Sequence, residues 1–306
     1  MSDDVGGHRR VARLAALTVG ATLLAGCIDA PAPSAAPTPT PAPEPTPTTI
    51  TYQLGTTVWY EGMVIHVDDA MATLDQRGGP VEVRLRIENP GDDEGELDAG
   101  IRLLVDATST DPPVVPTRES KVPSVPAHGI VGALMTYELQ GIDSVASGVV
   151  LIGDDLLHLA RIPLTPAGGD LVDLEPVPVA VSGTGTAGDL RLTLRSGVLR
   201  WDLPDWSEEL PAGLDALTLT YDITYLGTFS GGFPFTGDNI RLRLPDGTVI
   251  GPRRDGHSQS IELIGAGRTK RGLFSRFEIP TGTIGRFGLI VRSGNMSKTI
   301  PFDLGG

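Results

Sequence analysis

The stretch of sequence that decides the fold is Val81-Glu82-Val83-Arg84-Leu85-Arg86-Ile87-Glu88. Apolar and charged residues alternate strictly along it. Successive side chains of a β-strand point to opposite faces of the sheet, so the four apolar residues share one face and the four charged residues share the other. The pattern therefore predicts a half-buried strand of an antiparallel sheet.

The same alternation returns later in the chain, and other strand-like runs return with it. Four apolar residues spaced two apart repeat the pattern of the first run: Leu217, Leu219, Tyr221 and Ile223. Further runs correspond in the same order: 64–67 with 191–194, 101–105 with 240–244, 137–139 with 277–279, and 162–164 with 300–302. The sequence therefore predicts one structural unit that is written twice.

The composition favours short strands joined by turns. The 306 residues include 39 Gly and 26 Pro, which interrupt the chain too often for long helices. Each copy offers about seven strand-length runs, separated by turn signals such as Asn89-Pro90-Gly91 and Pro245-Asp246-Gly247. Two packed sheets bury one face of each strand, which a single sheet of so many strands does not achieve. We therefore predict an all-β chain with two tandem β-sandwiches.

The amino terminus carries a sorting signal. Arg9, Arg10 and Arg13 precede an uncharged stretch, residues 14–25, that ends in Leu24-Ala25-Gly26-Cys27. A helix of that length spans roughly 18 Å, which is too short to cross a bilayer. The tetrapeptide resembles the lipobox of bacterial lipoproteins, in which the Cys thiol receives a lipid. We predict a lipoprotein signal peptide at 1–26 and lipidation of Cys27; a lone buried cysteine is the alternative.

Residues 27–50 are predicted to form a stalk. Between residues 30 and 49 the chain holds eight prolines and no large apolar side chain, so this segment cannot form a core. Alternating prolines favour polyproline II at ~3.1 Å per residue, which gives a length on the order of 60 Å. The signal and the stalk together predict a lipid-anchored protein on the extracytoplasmic face of the cell membrane. Recognition of the stalk by a proline-binding groove of a partner protein is the alternative role.

The rest of the chain divides into an acidic and a nearly neutral part. We predict a first sandwich at 51–165, a linker at 166–184 and a second sandwich at 185–306. Residues 51–165 hold 18 acidic and 7 basic side chains, whereas residues 185–306 hold 13 and 14. The net charge of the whole chain is −14, which argues against a nucleic-acid partner because such binding needs a basic surface.

Motifs for catalysis are sparse. Gly183, Gly185 and Gly188 match Gly-x-Gly-x-x-Gly, but a strand pattern follows where a nucleotide-binding helix should begin, so we interpret the match as a flexible linker end. Four histidines follow the predicted cleavage site, and their spacing fits no helical metal site: His66, His128, His158 and His257. No cofactor is expected, and the chain is predicted not to be an enzyme.

Two loops are candidate binding sites. A predicted turn of the first sandwich gathers carboxylates that could bind calcium: Asp92, Asp93, Glu94, Glu96 and Asp98. A solvated acidic turn is the alternative. The corresponding turn of the second sandwich holds aromatic residues that could anchor a partner: Phe229, Phe233 and Phe235. Trp201 and Trp206 could extend this surface, and packing of these rings under the sandwich rim is the alternative.

The first copy resembles a known class of domain. Residues 81–91, Val-Glu-Val-Arg-Leu-Arg-Ile-Glu-Asn-Pro-Gly, and residues 126–139, Pro-Ala-His-Gly-Ile-Val-Gly-Ala-Leu-Met-Thr-Tyr-Glu-Leu, look like the Ig-like domains of bacterial surface lipoproteins of the immunoprotective extracellular antigen type. The similarity covers residues 56–164. It implies an Ig-like β-sandwich fold and a surface location, and it brings no catalytic residues with it.

These observations lead to one functional hypothesis and one alternative. The first is a non-catalytic, lipid-anchored binding or scaffold protein that contacts a protein or an envelope polymer through its sandwich loops. The alternative is an accessory subunit or a carboxylate-dependent hydrolase acting on cell-wall glycans, in which the acidic turn, Asp154 and Asp155 supply the carboxylates. Adjacent residues of a strand point to opposite faces, which makes Asp154 and Asp155 a poor catalytic pair.

Overall fold

The computed structural model describes residues 46–254 and 261–305. These residues belong to one compact unit, Pro45–Gly306. The predicted signal peptide, Cys27 and nearly all of the stalk lie outside the described residues. Within the described ranges, no helix has the length and the apolar character needed to cross a membrane.

The first half, residues 48–174, contains two antiparallel sheets. Its strands are β1 (Thr48–Tyr60), β2 (Met63–Leu74), β3 (Gly78–Glu88), β4 (Ile101–Leu104), β5 (Ile130–Gln140), β6 (Val149–Ile152) and β7 (Ala160–Pro163). One sheet has the order β1-β2-β3-β5, and the other has the order β4-β6-β7. A short 3₁₀ turn, Pro166–Gly168, follows β7.

The second half, residues 175–305, repeats this plan with additions. Its strands are β8 (Val177–Val179), β9 (Gly183–Ala187), β10 (Leu190–Arg200), β11 (Asp202–Leu203), β12 (Glu208–Glu209), β13 (Leu214–Tyr225), β14 (Phe233–Phe235), β15 (Ile240–Arg243), β16 (Val249–Ile250), β17 (Glu262–Ile264), β18 (Thr269–Pro280), β19 (Gly285–Ser293) and β20 (Met296–Leu304). The 3₁₀ turns are Pro204–Trp206 and Gly237–Asn239.

The strand order is the same in both halves. The sheet β18-β13-β10, with β8 and β9 on the far side of β10, corresponds to β5-β3-β2-β1, and β15-β19-β20 corresponds to β4-β6-β7. In immunoglobulin constant domains the third strand joins the sixth and seventh strands. Here β3 follows β2 directly in the same sheet, and β4 joins β6 and β7 instead. The predicted all-β sandwich architecture is confirmed, with a strand order of its own.

The predicted alternation is present in both halves. The apolar residues of the run 81–88 are at most 1% exposed, and those of its repeat, 217–223, are at most 2% exposed. Buried residues from both sheets of each half pack together, so each half has its own hydrophobic core. One face of each sheet therefore lies in a core, as the two-residue period requires.

The glycine motif near residue 185 has a structural role that differs from our interpretation. Gly183 and Gly185 lie in β9, which pairs along β10, so the motif is a strand and not a flexible linker end. A Cβ atom would lie 2.5 Å from Ile300 at Gly183 and 2.9 Å from the same side chain at Gly185. These glycines therefore allow β9 to approach β20 closely.

The segment predicted as the linker is partly ordered into strands. β8 and the start of β9 fall within residues 166–184, and Val179 and Val181 belong to the second core. The preceding residues lie along the first half, because the Trp59 N–H donates to the Asp173 carbonyl over 2.9 Å. The connection between the halves is therefore hydrogen-bonded to the first half at one end and packed into the second core at the other.

The buried alternation can be tested by truncating one residue on each face of β3. Leu85 is 1% exposed, and we expect Leu85→Ala to lower the free energy of unfolding by about 2–5 kcal/mol because it leaves a cavity. Arg84 points outward and pairs with Asp69, and we expect Arg84→Ala to cost at most about 1 kcal/mol. Urea unfolding monitored by tryptophan fluorescence measures both. Equal losses would contradict the assignment of faces.

Candidate functional site

The first half meets the second through the tip of the β1–β2 hairpin. The two turn residues, Glu61 and Gly62, both have positive φ, 51° and 80°. This is the backbone of a type I′ turn, which matches the twist of a two-residue hairpin. A non-glycine residue in this region costs about 1–2 kcal/mol, so Glu61 is held there by its surroundings.

Two carboxylates of the second half accept the amide hydrogens of this turn. The Gly62 N–H donates to Asp202 Oδ2 over 2.7 Å, and the Glu61 N–H donates to Glu209 Oε2 over 3.2 Å. Asp202 and Glu209 face each other across the small β11–β12 hairpin. The turn of one half is therefore clamped between side chains of the other.

The clamp is a buried cluster with an excess of acids. Glu61, Asp202 and Glu209 are each at most 7% exposed. Arg200 is the cation paired with this cluster, and it forms two hydrogen bonds to Asp202, at 2.7 and 3.0 Å. The carboxylate of Glu61 in turn accepts the Asp98 N–H over 3.0 Å. Asp202 is thus neutralised by its partner, whereas the two glutamates rely on backbone amides.

Burial changes the protonation of the two glutamates. Desolvation, reinforced by the charge of Asp202, raises the pKa of Glu209 to about 9. Desolvation also raises the pKa of Glu61, although the amides of Asp98 and Ala99 act in the opposite direction. At neutral pH Glu209 is therefore a neutral carboxylic acid, which avoids an uncompensated buried charge.

Two polar atoms near the clamp have no hydrogen-bond partner among the described residues. They are Glu209 Oε1 and the phenol oxygen of Tyr60. Tyr60 is fully buried, and burial together with the charges of Glu209 and Glu61 raises its pKa. Gly153 makes room for this ring, because a Cβ atom there would lie 2.5 Å from the phenol oxygen.

A second contact joins the backbones of the two halves. Leu157 forms a β-bridge with Pro211, the Ala212 N–H donates to the Leu156 carbonyl over 3.1 Å, and the His158 N–H donates to the Leu210 carbonyl over 3.2 Å. Backbone hydrogen bonds on both sides of the bridge hold the halves in one register.

His158 is a buried part of this contact. Its Nε2 donates to the Leu214 carbonyl over 2.7 Å, and the Asp215 carboxylate lies 3.5 Å from the same nitrogen. The ring packs edge-on against Trp201, with ring centroids 6.5 Å apart. Trp201 itself packs against the core of the first half. Trp201, predicted as a possible binding residue, therefore fills the junction.

The acidic turn predicted as a calcium site lies at the edge of the same junction. Residues 89–95 and Glu61 line one side of a 420 Å³ cleft, and Pro204, Asp205 and Ser207 line the other side. The five predicted ligands are exposed side chains: Asp92, Asp93, Glu94, Glu96 and Asp98. The Oδ1 atom of Asp92 lies 3.1 Å from Nε2 of His128. Across residues 46–254 and 261–305, no three His, Cys, Asp or Glu side chains are grouped to hold a metal. Calcium binding stays a prediction that this geometry does not support.

The predicted aromatic surface separates into different environments. Phe229 is 67% exposed, whereas Phe233 is half-buried against Tyr225 and Phe235 is 4% exposed. Phe235 packs edge-on against Tyr221, so it is a core residue and not a contact residue. The reason is the two-residue period of β14, which turns both Phe233 and Phe235 inward. The Trp206 side chain lies outside the described part.

The aspartates named for the alternative hydrolase lie at the surface of the first half. Asp154 and Asp155 are both exposed, and Asp155 forms an ion pair with Arg102 over 3.0 Å. His66 lies in β2 beside Thr57, and its Nδ1 is 3.0 Å from the Thr57 hydroxyl. His257 lies outside the described residues.

Sequence reasoning missed the clamp. Glu61-Gly62 stands between two strand patterns and is a recognisable two-residue turn, but its partners are 140 or more residues away in the chain. Comparisons with protein-family models, with curated proteins and with solved structures found no match to this chain. The resemblance to lipoprotein Ig-like domains therefore stays a prediction.

The raised pKa of Glu209 predicts how stability depends on pH. The folded protein keeps this proton up to pH about 9, whereas the unfolded chain releases it near the usual value of 4.5. Stability should therefore fall as pH rises between these values, by on the order of 1 kcal/mol per unit. We expect Glu209→Gln to flatten this decline in thermal unfolding curves, and Glu208→Gln, a half-exposed neighbour, to leave it unchanged. An unchanged slope in Glu209→Gln would assign the proton to another group.

The close contact at the turn predicts the effect of a single methyl group. A Cβ atom at Gly62 would lie 2.8 Å from Pro204 Cα, so Gly62→Ala should push the two halves apart at the clamp. Gly141 has a similar positive φ of 67° with nothing within 4 Å, so Gly141→Ala controls for backbone strain alone. We expect faster amide hydrogen exchange at residues 202–209 in Gly62→Ala only. Equal exchange in both variants would show that the clamp tolerates the shift.

Proposed function

We propose that this chain is a non-catalytic, lipid-anchored binding or scaffold protein on the extracytoplasmic face of the cell membrane. The proposal joins the sorting signal that ends at Cys27 to the structure of the body. The observation that carries it is the exposed apolar loop surface of the second half, which includes Phe229, 67% exposed. Large exposed apolar side chains that gather at loop tips are typical of contact surfaces.

The buried acids of the junction support a structural role. Asp202 and Glu209 use their oxygens to accept amide hydrogens of the β1–β2 turn, and the Glu61 carboxylate accepts another amide. Carboxylates engaged in this way hold backbone and are not presented to a substrate. Their effect is to fix the second half relative to the first, which suits a protein that presents a surface at a defined orientation.

The position of the stalk supports the same proposal. The described chain begins beside β1, which runs from Thr48 to the junction at Tyr60. β13 starts at Leu214 in the junction and runs to Tyr225, beside the Phe229 loop. β1 therefore leads from the stalk to the junction, and β13 leads from the junction to the Phe229 loop. The stalk and the two halves joined by the clamp would together hold the Phe229 loop away from the membrane to which the lipid is attached.

The alternative function, a hydrolase of cell-wall glycans, requires that the protein converts its substrate into product. A screen of the purified body against peptidoglycan and cell-wall glycans separates the two proposals, because binding without product supports the binding protein and accumulating product supports the enzyme.

The proposed function is tested in cells that express the full chain. A clickable fatty-acid probe should label the parent protein and should not label Cys27→Ala. Cross-linking should recover partners from the parent, and we expect their yield to fall at least about fivefold in Phe229→Ser because the ring is an exposed anchor. Ile284→Ser, which removes another exposed apolar side chain, is the matched control. An unlabelled parent contradicts the anchor, and equal yields in both variants contradict the role of the loop.

A further inference from the structure

The exposed apolar side chains of the second half gather at one end of it. Phe229 lies over Gly231, and the Cδ1 atom of Leu263 lies 3.2 Å from where a Cβ of Gly232 would be. The Leu226 N–H donates to the Asp189 carbonyl over 2.7 Å. Gly188 precedes Asp189, and a Cβ there would lie 2.6 Å from Met296 Cε. We name this surface the far end. It is formed by Leu226 and Phe229 in the loop after β13, Leu263 in β17 and Met296 at the start of β20.

All four side chains are well exposed. Leu226 is 39% exposed, Met296 is 57% exposed, and the other two are more exposed still. Single exposed apolar residues are common on any protein, but several that meet on neighbouring loops mark a surface that is covered in the functional state.

Three cations from one segment, residues 268–271, lie beside the far end, together with the carboxylates of Asp189 and Glu262. Arg268 is exposed, and its carbonyl accepts the Tyr225 N–H over 3.1 Å, which places it next to Leu226 in space. Lys270 pairs with Glu262 over 2.9 Å, so it lies beside Leu263. Arg271 is exposed as well, and its charge also acts on the carboxylate of Asp222. The far end therefore combines apolar contact area with exposed positive charge.

The internal repeat shows what this end of a sandwich does. The Gly188-Asp189 turn between β9 and β10 corresponds to the Glu61-Gly62 turn between β1 and β2, and residues 226–232 correspond to residues 89–95. In the first half, this end is covered by the acidic β11–β12 hairpin of the second half. In the second half, the same end has no covering element among the described residues.

The chain itself carries a surface of complementary charge. Residues 51–165 hold 18 acidic and 7 basic side chains. Asp92, Asp93 and Glu94 are exposed beside the junction cleft, where Pro90 and Pro204 supply apolar surface. Apolar contacts with opposite charges around them are the arrangement that makes an interface specific.

We propose that the far end of one molecule docks onto the acidic cleft of a second copy of this chain. The contact joins two different surfaces, so it is heterologous and can be repeated from copy to copy, as a ring if the rotation closes and as a filament if it does not. The proposal rests on the proposed function, because anchoring on one membrane raises the local concentration of copies and makes a weak contact effective. The stalk gives neighbouring copies the freedom to shift relative to one another.

The test uses a chain that begins at residue 28, which retains the whole compact unit Pro45–Gly306 without the apolar signal. In analytical ultracentrifugation at low salt, the parent should self-associate as its concentration rises. High salt should weaken this association at least about tenfold, because exposed charges are screened. Phe229→Ser should weaken it at least about tenfold as well. Ile284→Ser, the matched control, should not change it.

Charge reversal makes the test decisive. One variant carries Arg268→Glu and Arg271→Glu, and the other carries Asp92→Lys and Glu94→Lys. Alone, each variant presents like charges on both surfaces, so neither should associate. An equimolar mixture restores both opposite pairs and should associate about as well as the parent. Circular dichroism and the melting temperature confirm that each variant is folded.

Other results overturn the proposal. A parent that stays monomeric at every concentration, or a mixture that stays monomeric, excludes a second copy as the occupant. Binding of the parent to anionic vesicles that is lost in Phe229→Ser, without self-association, would assign the far end to lipid instead. If self-association is absent while cellular cross-links still depend on Phe229, this inference fails and the proposed function stands. If Cys27 is unlabelled while self-association is present, the anchor fails and the contact stands.

Discussion

The structure depends on the clamp that Asp202 and Glu209 form on the β1–β2 turn. Two backbone amides of one half donate to two buried carboxyl groups of the other, at 2.7 and 3.2 Å. Buried polar groups gain little when paired and cost much when left alone, so this interaction specifies the arrangement more than it stabilises it. Burial also keeps Glu209 neutral at physiological pH. Arg200 is the cation paired with the cluster, and its hydrogen bonds go to Asp202.

The sequence predicted what depends on local periodicity. The alternation in residues 81–88 predicts which side chains of β3 are buried, and its repeat does the same for β13, because a strand with one buried face must alternate. Turn signals such as Asn89-Pro90-Gly91 also mark real breaks between strands. The all-β architecture therefore follows from patterns that lie within ten residues of each other.

The sequence did not predict what depends on distant partners. Asp202 lies in a strand of two residues, and its role comes from a turn 140 residues earlier. Gly183 and Gly185 match a motif that we interpreted as a flexible linker end. The structure explains these glycines by the Ile300 side chain, which leaves no room for a Cβ atom at either position. Phe235 belongs to an aromatic run that suggested an exposed loop, and only the pairing of β14 with β17 shows that it faces the core.

The joint between the halves is directional. The turn that is gripped lies between the first two strands of the unit, and the hairpin that grips it replaces the short connection that joins β2 to β3 in the other copy. The first half therefore has the turn and lacks the hairpin, whereas the second half has the hairpin and carries Gly188-Asp189 in place of Glu61-Gly62. Because each copy has only one of the two parts, a longer array joined in the same way would need a gripping hairpin in every added unit.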